Sequence, residues 1–335
     1  MQYEIQQKCD QLIRNYNAMK PGNGLEYNSI LCAGASLYLA MNREVDAKRL
    51  KECRKILRKK RGIFSNYRGI SEFIVRCKMA LSDDPVRYLD DLDVVYRQLK
   101  NILSGEQTLL AAMVIAESAP SDQHSRLVEE TRSIHKEMRK AHPWLTSEED
   151  LPFAAIMACY SSDAGSIYKE AERIYEILGH DLHASMESRQ MMSHILSIYS
   201  GSSEDKCRKI IETADGLKQA GHRLGRDRYI TMLGTLASTN IPSAELVEMI
   251  GETDDYLKNF KPFKGIFGVG RYVRRMFAVQ MVEASLNRDE SGQYINNTNI
   301  SSMISASIEV TIITLVTLYI IIATTASSTS HNSSS

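Results

Sequence analysis

Five segments of the chain share one outline, and that recurrence limits what the chain can fold into more than any single motif. They read "CKMALSDDPVRYLDDLDVVYRQLK" (77–100), "AMVIAESAPSDQHSRLVEETRSIHKEMR" (112–139), "IMACYSSDAGSIYKEAERIYEIL" (156–178), "ILSIYSGSSEDKCRKIIETADGLK" (195–218) and "LGTLASTNIPSAELVEMIGETDDYLK" (233–258). Each opens on a short apolar stretch ending in small residues. It breaks at a Ser/Asp/Pro/Gly turn and resumes as a charged stretch with apolar residues at helical spacing. The turns centre near Ser82, Ser118, Ser161, Ser200 and Ser238, a period of about 40 residues. The last two copies also share a string: Glu212-Thr213-x-Asp215-x-Leu217-Lys218 recurs as Glu252-Thr253-x-Asp255-x-Leu257-Lys258. Two helices at this period mark stacked helical hairpins, because one hairpin cannot bury both its faces and neighbours must share a core. An irregular helical bundle with hairpins of equal length is the competing reading. Alternating strand patterns are rare before residue 300, so the fold class expected is all-α, an α-solenoid-like array.

The organisation expected is a set of N-terminal helices over 1–76, including a basic one, and a hairpin region over 77–290. A polar linker (291–302), an apolar helix (303–326) and a disordered polar tail (327–335) follow. Asp46 or Glu44 can cap the basic helix, Asp150 with Pro152 can start "LPFAAIMACY", and Ser243 can start "AELVEMIGETDDYLKN".

The 41 basic and 41 acidic residues cancel, so no global field favours nucleic acid or an acidic partner. None of the 6 cysteines forms a CxxC pair and all lie in helical patterns, which reads as buried free thiols in a reducing compartment. The start, "MQYEIQQKCDQLIRNY", has no apolar core of signal-peptide type, and secretion by that route is not expected. Over 303–326, "MISASIEVTIITLVTLYIIIATTA" carries Glu309 as its only charge. It is close to the roughly 20 apolar residues that span a bilayer. It reads either as a membrane anchor or as an apolar helix docked on the fold.

Three constellations could carry chemistry. The first is the basic run around Lys48, Arg49, Lys55 and Lys59, with Leu50, Cys53 and Leu57 as an apolar stripe; it suits anionic lipid, or is a solvated helix face. The second is a pair of loops, "GIFSNYRG" (62–69) and "KGIFGVGRYVRR" (264–275), each with Gly-Ile-Phe followed by arginine. Glycine N–H groups beside a helix start can cradle an anion, which points to Arg68, Gly268, Gly270, Arg271 and Arg275. No strand precedes either loop, so neither a dinucleotide fingerprint nor a Walker loop fits. The other reading is that Ile63, Phe64, Ile266 and Phe267 plug the core. The third is "GHDLHASMESRQMMSH", where His180, His183 and Glu187 are weak metal candidates without a HExxH frame. His194 in the same stretch reads as a hydrogen-bonded core residue. There is no GxSxG; Glu148, Glu149 and Asp150 beside His142 and Trp144 form either a polar pocket or an acidic helix start.

"LKECRKILRKKRGIFSNYRG" (50–69), "HPWLTSEEDLPFAA" (142–155), "MSHILSIYSGSSEDKC" (192–207) and "GIFGVGRYVRRMFA" (265–278), in this order, resemble a bacterial family, domain of unknown function 4003. The likeness covers nearly the whole chain. It implies a helical protein and brings no assigned activity and no site residues.

The residues thus lead to a cytoplasmic, non-enzymatic helical-repeat protein that binds a protein or peptide partner on a concave surface, tethered to a membrane if 303–326 is an anchor. The alternative is an enzyme or sensor for a small phosphorylated anion held by the two Gly-Ile-Phe loops. No cofactor is expected and nucleic acid is not an expected partner.

Overall fold

The computed structural model describes residues 1–21, 23, 27–60, 70–100, 105–160, 163–265, 268–286 and 311–312. Among them the chain is all-α, with thirteen α-helices, four 3-10 segments and no strand. Seven helices alternate in sequence with seven others, and the two sets differ in what their sequences can bury. The outer set is α1 (Tyr3–Met19), α3 (Ala47–Lys59), α5 (Pro85–Lys100), α7 (His124–Ala141), α9 (Ala164–Asp181), α11 (Ser203–Gln219) and α12 (Ser243–Leu257). These are amphipathic. "HSRLVEETRSIHKEMRKA" in α7 turns Leu127, Val128, Thr131, Ile134, His135 and Met138 inward and leaves its charges in water. The inner set is α2 (Asn28–Ala40), α4 (Ile70–Leu81), α6 (Glu106–Ser118), α8 (Leu151–Tyr160), α10 (Met186–Ile198), the 3-10 helix Arg228–Leu236, and α13 (Arg271–Leu286). "LPFAAIMACY" in α8 has no polar side to offer water, and every residue from Leu151 to Ala158 is buried.

Successive inner helices pack side by side, α2 on α4, α4 on α6, and so on to the 228–236 helix and α13. The outer helices follow outside them, with α5 against α7, α7 against α9, α9 against α11 and α11 against α12. The expected solenoid-like array would leave a first and a last helix face free. Instead the ends meet: α1 packs against α12 and α13. Ser36 of α2 donates to Gln280 Oε1 of α13 (2.9 Å), Tyr256 of α12 donates to Asp10 of α1 (2.8 Å), and the N-terminal amine pairs with Glu252 (2.6 Å). The result is a ring of inner helices with the outer helices around it. One core cluster runs through it from Ile5 to Val282 and includes Ile312.

Local chemistry explains the joints. The Asp46 carboxylate accepts from the Lys48 and Arg49 N–H groups and starts α3, as expected. At α8 the cap is Ser147. Its hydroxyl accepts from Glu149 N, while the Asp150 carboxylate reaches back to Ser147 N (2.8 Å), a reciprocal box that the sequence reading reduced to Asp150 alone. At α12 the capping position is Pro242, and Ser243 instead donates to Glu212 (2.9 Å). The nine-residue 3-10 run is long for its type. It lies so close to α10 that a Cβ on Gly234 would stand 2.7 Å from Ile195 Cγ2.

Cys9, Cys32, Cys53, Cys77 and Cys207 are buried free thiols and Cys159 is half-buried; burial pushes the Cys207 and Cys159 thiols up to about 12. No described helix is long and apolar enough to cross a membrane. Of the segment 303–326 only Thr311 and Ile312 are described; both are helical and buried. Arg68, Ile63, Phe64, Ile266 and Phe267, and with them one of the two Gly-Ile-Phe loops, lie outside the described residues.

Candidate functional site

Alternation of inner and outer helices puts all inner N-termini at one rim and all inner C-termini at the other. Contacts between loops fix this. At the N-terminal rim a Cβ on Gly105 would meet Glu148, Arg228 pairs with Glu149, Ser185 N donates to Arg226 O (2.8 Å), and Gly225 sits under the Tyr272 ring. At the opposite rim Arg43 donates to Leu81 O (2.7 Å), Ser118 meets Tyr160, and Lys209 donates to Thr239 O.

The two rims are electrostatically different. At the C-terminal rim the protein neutralises its own helix ends. Arg49 donates to the carbonyls of Ala80, Ser82 and Asp83, and buried Lys206 donates to those of Leu196 and Tyr199 (2.9 and 2.8 Å). Arg49 of the basic run is thus a structural cation, whereas Lys48, Lys55 and Lys59 stand exposed on α3. At the N-terminal rim most helix starts carry the acids that a positive helix end favours: Glu72 on α4, Glu106 on α6, Glu148 and Glu149 before α8, and Glu187 on α10. The 228–236 helix and α13 have no acid in the first turn and carry Arg228, Arg271, Arg274 and Arg275 there. In this sector cations stand at the positive ends of helices.

Part of that charge is matched internally. Asp254 on α12 is 1% exposed and accepts from Arg274 Nε (2.6 Å), Arg275 Nε (3.1 Å) and His222 Nδ1 (2.9 Å). Arg275 also donates to the carbonyls of Arg223 and Gly221, both at 2.7 Å, so it fixes the backbone of the loop between α11 and the 228–236 helix. Gly221 (φ 83°) and Gly225 (φ 96°) let that loop take its left-handed turns. Arg275 is therefore a tie within the fold. Arg271 lies over the Tyr272 ring (5.4 Å), Gly270 is exposed, and Gly268 packs so tightly on Lys264 O that a Cβ would come within 2.9 Å. The carboxylates of Asp254 and Asp255 with His222 could in spacing hold a metal ion. Two guanidinium groups already occupy Asp254, and their charge opposes a divalent cation there.

Beside this tie lies a cavity of about 310 Å³. Its walls are Asp181, Leu182 and His183 at the end of α9, Asp215, Leu217 and Lys218 on α11, the loop Arg223–Arg226, and Ile230 and Leu233. Among the described residues none of Lys218, Arg223, Arg226, Asp181 and Asp215 is in an ion pair, and the N–H groups of residues 223–226 are in no hydrogen bond. Of the metal candidates, His183 lines this cavity and Glu187 is exposed on the first turn of α10, while the side chain of His180 is outside the described set. The loop "GHRLGRDR" (221–228) escaped the sequence reading. Its signal was present: four basic residues including His222 between and after two glycines, in the pattern that drew attention to "GIFGVGRYVRR".

A second polar cluster lies deeper. His194 on α10 is wholly buried against Phe153 (6.4 Å between rings), and neither ring nitrogen is hydrogen-bonded, contrary to the expectation of a bonded core histidine. Burial, then the charges of His142 and His135, lower it to about 3. Asp150 stands 3.9 Å away, and burial raises its carboxyl to about 7. Of the other groups in the suspected acidic pocket, His142 bonds Glu172 (2.9 Å) and Trp144 is 96% exposed.

The family described as Protein of unknown function (DUF4003) matches residues 15–314. Neither a curated protein nor a solved structure matches the chain.

Proposed function

The chain belongs to the DUF4003 family, whose description carries no activity, and from the N-terminal rim we propose that it binds a small anionic ligand in the cavity between α9, α11 and the 221–226 loop. One observation carries this: Lys218, Arg223 and Arg226 converge on a ligand-sized cavity without ion-pair partners among the described residues, in the sector where helix starts lack acids. The unbonded N–H groups of 223–226 support it, because a buried N–H such as that of Gly225 ordinarily has an acceptor. Of the residues expected to hold an anion, Arg271 lies over Tyr272, and Arg275 donates to the carbonyls of Gly221 and Arg223 beside the cavity. The test is thermal unfolding of the full chain against a panel of anions, from inorganic phosphate to alkyl carboxylates and phosphates. Stabilisation by a panel member that is lost in Arg223→Ala and Arg226→Ala supports the reading; no stabilisation by any of them refutes it.

A protein or peptide partner is favoured by a different observation. Trp144 (96% exposed), Tyr27 (55%) and Met186 (52%) all stand on this same rim. A purified partner that binds the wild type and loses affinity at least tenfold to Trp144→Ala would support it. Two finer structural readings belong with these. We take each inner helix and the outer helix that follows it as one hairpin unit repeating at about 40 residues, and the apolar segment 303–326 as docked on the ring rather than membrane-spanning, supported by the burial of Thr311 and Ile312.

A further inference from the structure

The cavity's wall chemistry narrows the ligand beyond its charge. We propose, resting on the anion-binding reading above, that the ligand is a monoanionic amphiphile: a single carboxylate-type head group on an apolar body. The floor is made by Leu182, Leu217, Leu224, Ile230 and Leu233, none more than 5% exposed, with Ile211 and Ala214 beside them. These side chains offer no hydrogen bond, so a sugar phosphate or inorganic anion filling the cavity would set polar groups against them without compensation. An alkyl or aryl body in the same place takes its own apolar surface out of water against them. The head group falls to Lys218, Arg223, Arg226 and the N–H groups of the 223–226 loop. Asp181 and Asp215 on the same walls set an upper limit on its charge. They offset two of the three cations and leave one net positive charge, His183 aside, which suits one negative charge and repels a polyphosphate.

The experiment is calorimetric titration of the full chain with acetate, butyrate, hexanoate and octanoate, then with inorganic phosphate and tripolyphosphate, at fixed ionic strength. Affinity should rise with chain length, by up to roughly fourfold per methylene if each is fully buried, and tripolyphosphate should bind no better than acetate. Phosphate or tripolyphosphate binding at least as tightly as octanoate would overturn the amphiphile and leave the anion site standing. Failure of every probe would remove both. Ala214→Phe, which fills the floor, should abolish the advantage of octanoate over acetate; octanoate binding unchanged in a folded Ala214→Phe protein would refute the apolar body. Asp181→Asn with Asp215→Asn sits on an exposed and a half-buried position and tests the charge limit separately. It should raise tripolyphosphate affinity at least fivefold, and no change would refute the repulsion.

Discussion

Replacing Asp254 by asparagine keeps the size of the side chain and removes the charge on which three groups close. Asp254 is almost wholly buried, and the side chains of Arg274, Arg275 and His222 are only 16%, 13% and 17% exposed. The variant leaves two neighbouring guanidinium groups in poorly solvated positions, facing each other across an uncharged amide. Removing one partner of a buried ion pair typically costs about 3–5 kcal/mol, and the second cation places this site in that range. Chemical denaturation of the full chain at neutral pH, followed by far-ultraviolet dichroism, should show the loss as a lower midpoint. A second effect should accompany it. Without Asp254, Arg275 loses the carboxylate that orients it toward the carbonyls of Gly221 and Arg223, so any anion affinity of the cavity should fall with the stability. The pH dependence has a definite sign. Burial by itself raises the Asp254 carboxyl; the hydrogen bonds from Arg274 and His222, the Arg274 charge and the Arg275 bond outweigh it and hold the group below its ordinary value. A depressed carboxyl stabilises the fold fully above the unfolded value of about 4 and loses that contribution as pH falls through the folded pKa. Asp254→Asn should therefore lose stability at neutral pH and show a shallower decline in acid. A variant within about 1 kcal/mol of wild type at neutral pH would refute the description of Asp254 as the hub of this sector.

Asp150 has the opposite sign: its raised carboxyl favours the fold below the unfolded value and loses that favour as pH rises from about 4 through about 7. Asp150→Asn should flatten stability across that window and be no less stable than wild type at pH 8, measured by denaturant midpoints. Gly34→Ala should cost about 1–3 kcal/mol despite the better helix propensity of alanine, because its Cβ would come 2.4 Å from the ring of fully buried Phe73; a stabilised variant would show that α2 and α4 do not pack this closely. Ile312→Ala should cost about 2–5 kcal/mol if the segment around it packs in the ring, and an unchanged unfolding midpoint would count against docking. Trp144→Ala should leave stability within about 0.5 kcal/mol, as befits a side chain in open solvent.

The helices were legible because their signals are local. "LPFAAIMACY" beside "HSRLVEETRSIHKEMRKA" announces a helix buried on every side next to one buried on a stripe, and Asp46 before the basic run announces its own cap. The small-residue turns match the observed breaks after Leu81 and Ser118. Ring closure was not legible, because it depends on the summed rotation of successive helix pairs and no short window contains that angle. The cavity was missed for a related reason. His183, Asp215 and Arg226 come from three separate stretches, and the sequence reading flagged only His183 of the three, for metal. Arg275 shows how far apart partners can lie: an arginine beside glycines reads as an anion ligand, and its carboxylate neighbour Asp254 stands twenty-one positions earlier.

The closure of the ring sets an order on how the chain can be made. The contacts that join its ends link Asp10 to Tyr256 and Ser36 to Gln280. A ribosome must therefore release almost the whole chain before α1 and α2 find their final neighbours, and bringing such distant segments together costs loop entropy before any contact rewards it. Until then the apolar flank of the first hairpin has nothing of its own to cover it. A nascent chain of this protein should consequently bind chaperones through α1 and α2 and release them only when α13 emerges, which crosslinking of stalled nascent chains of graded length would reveal.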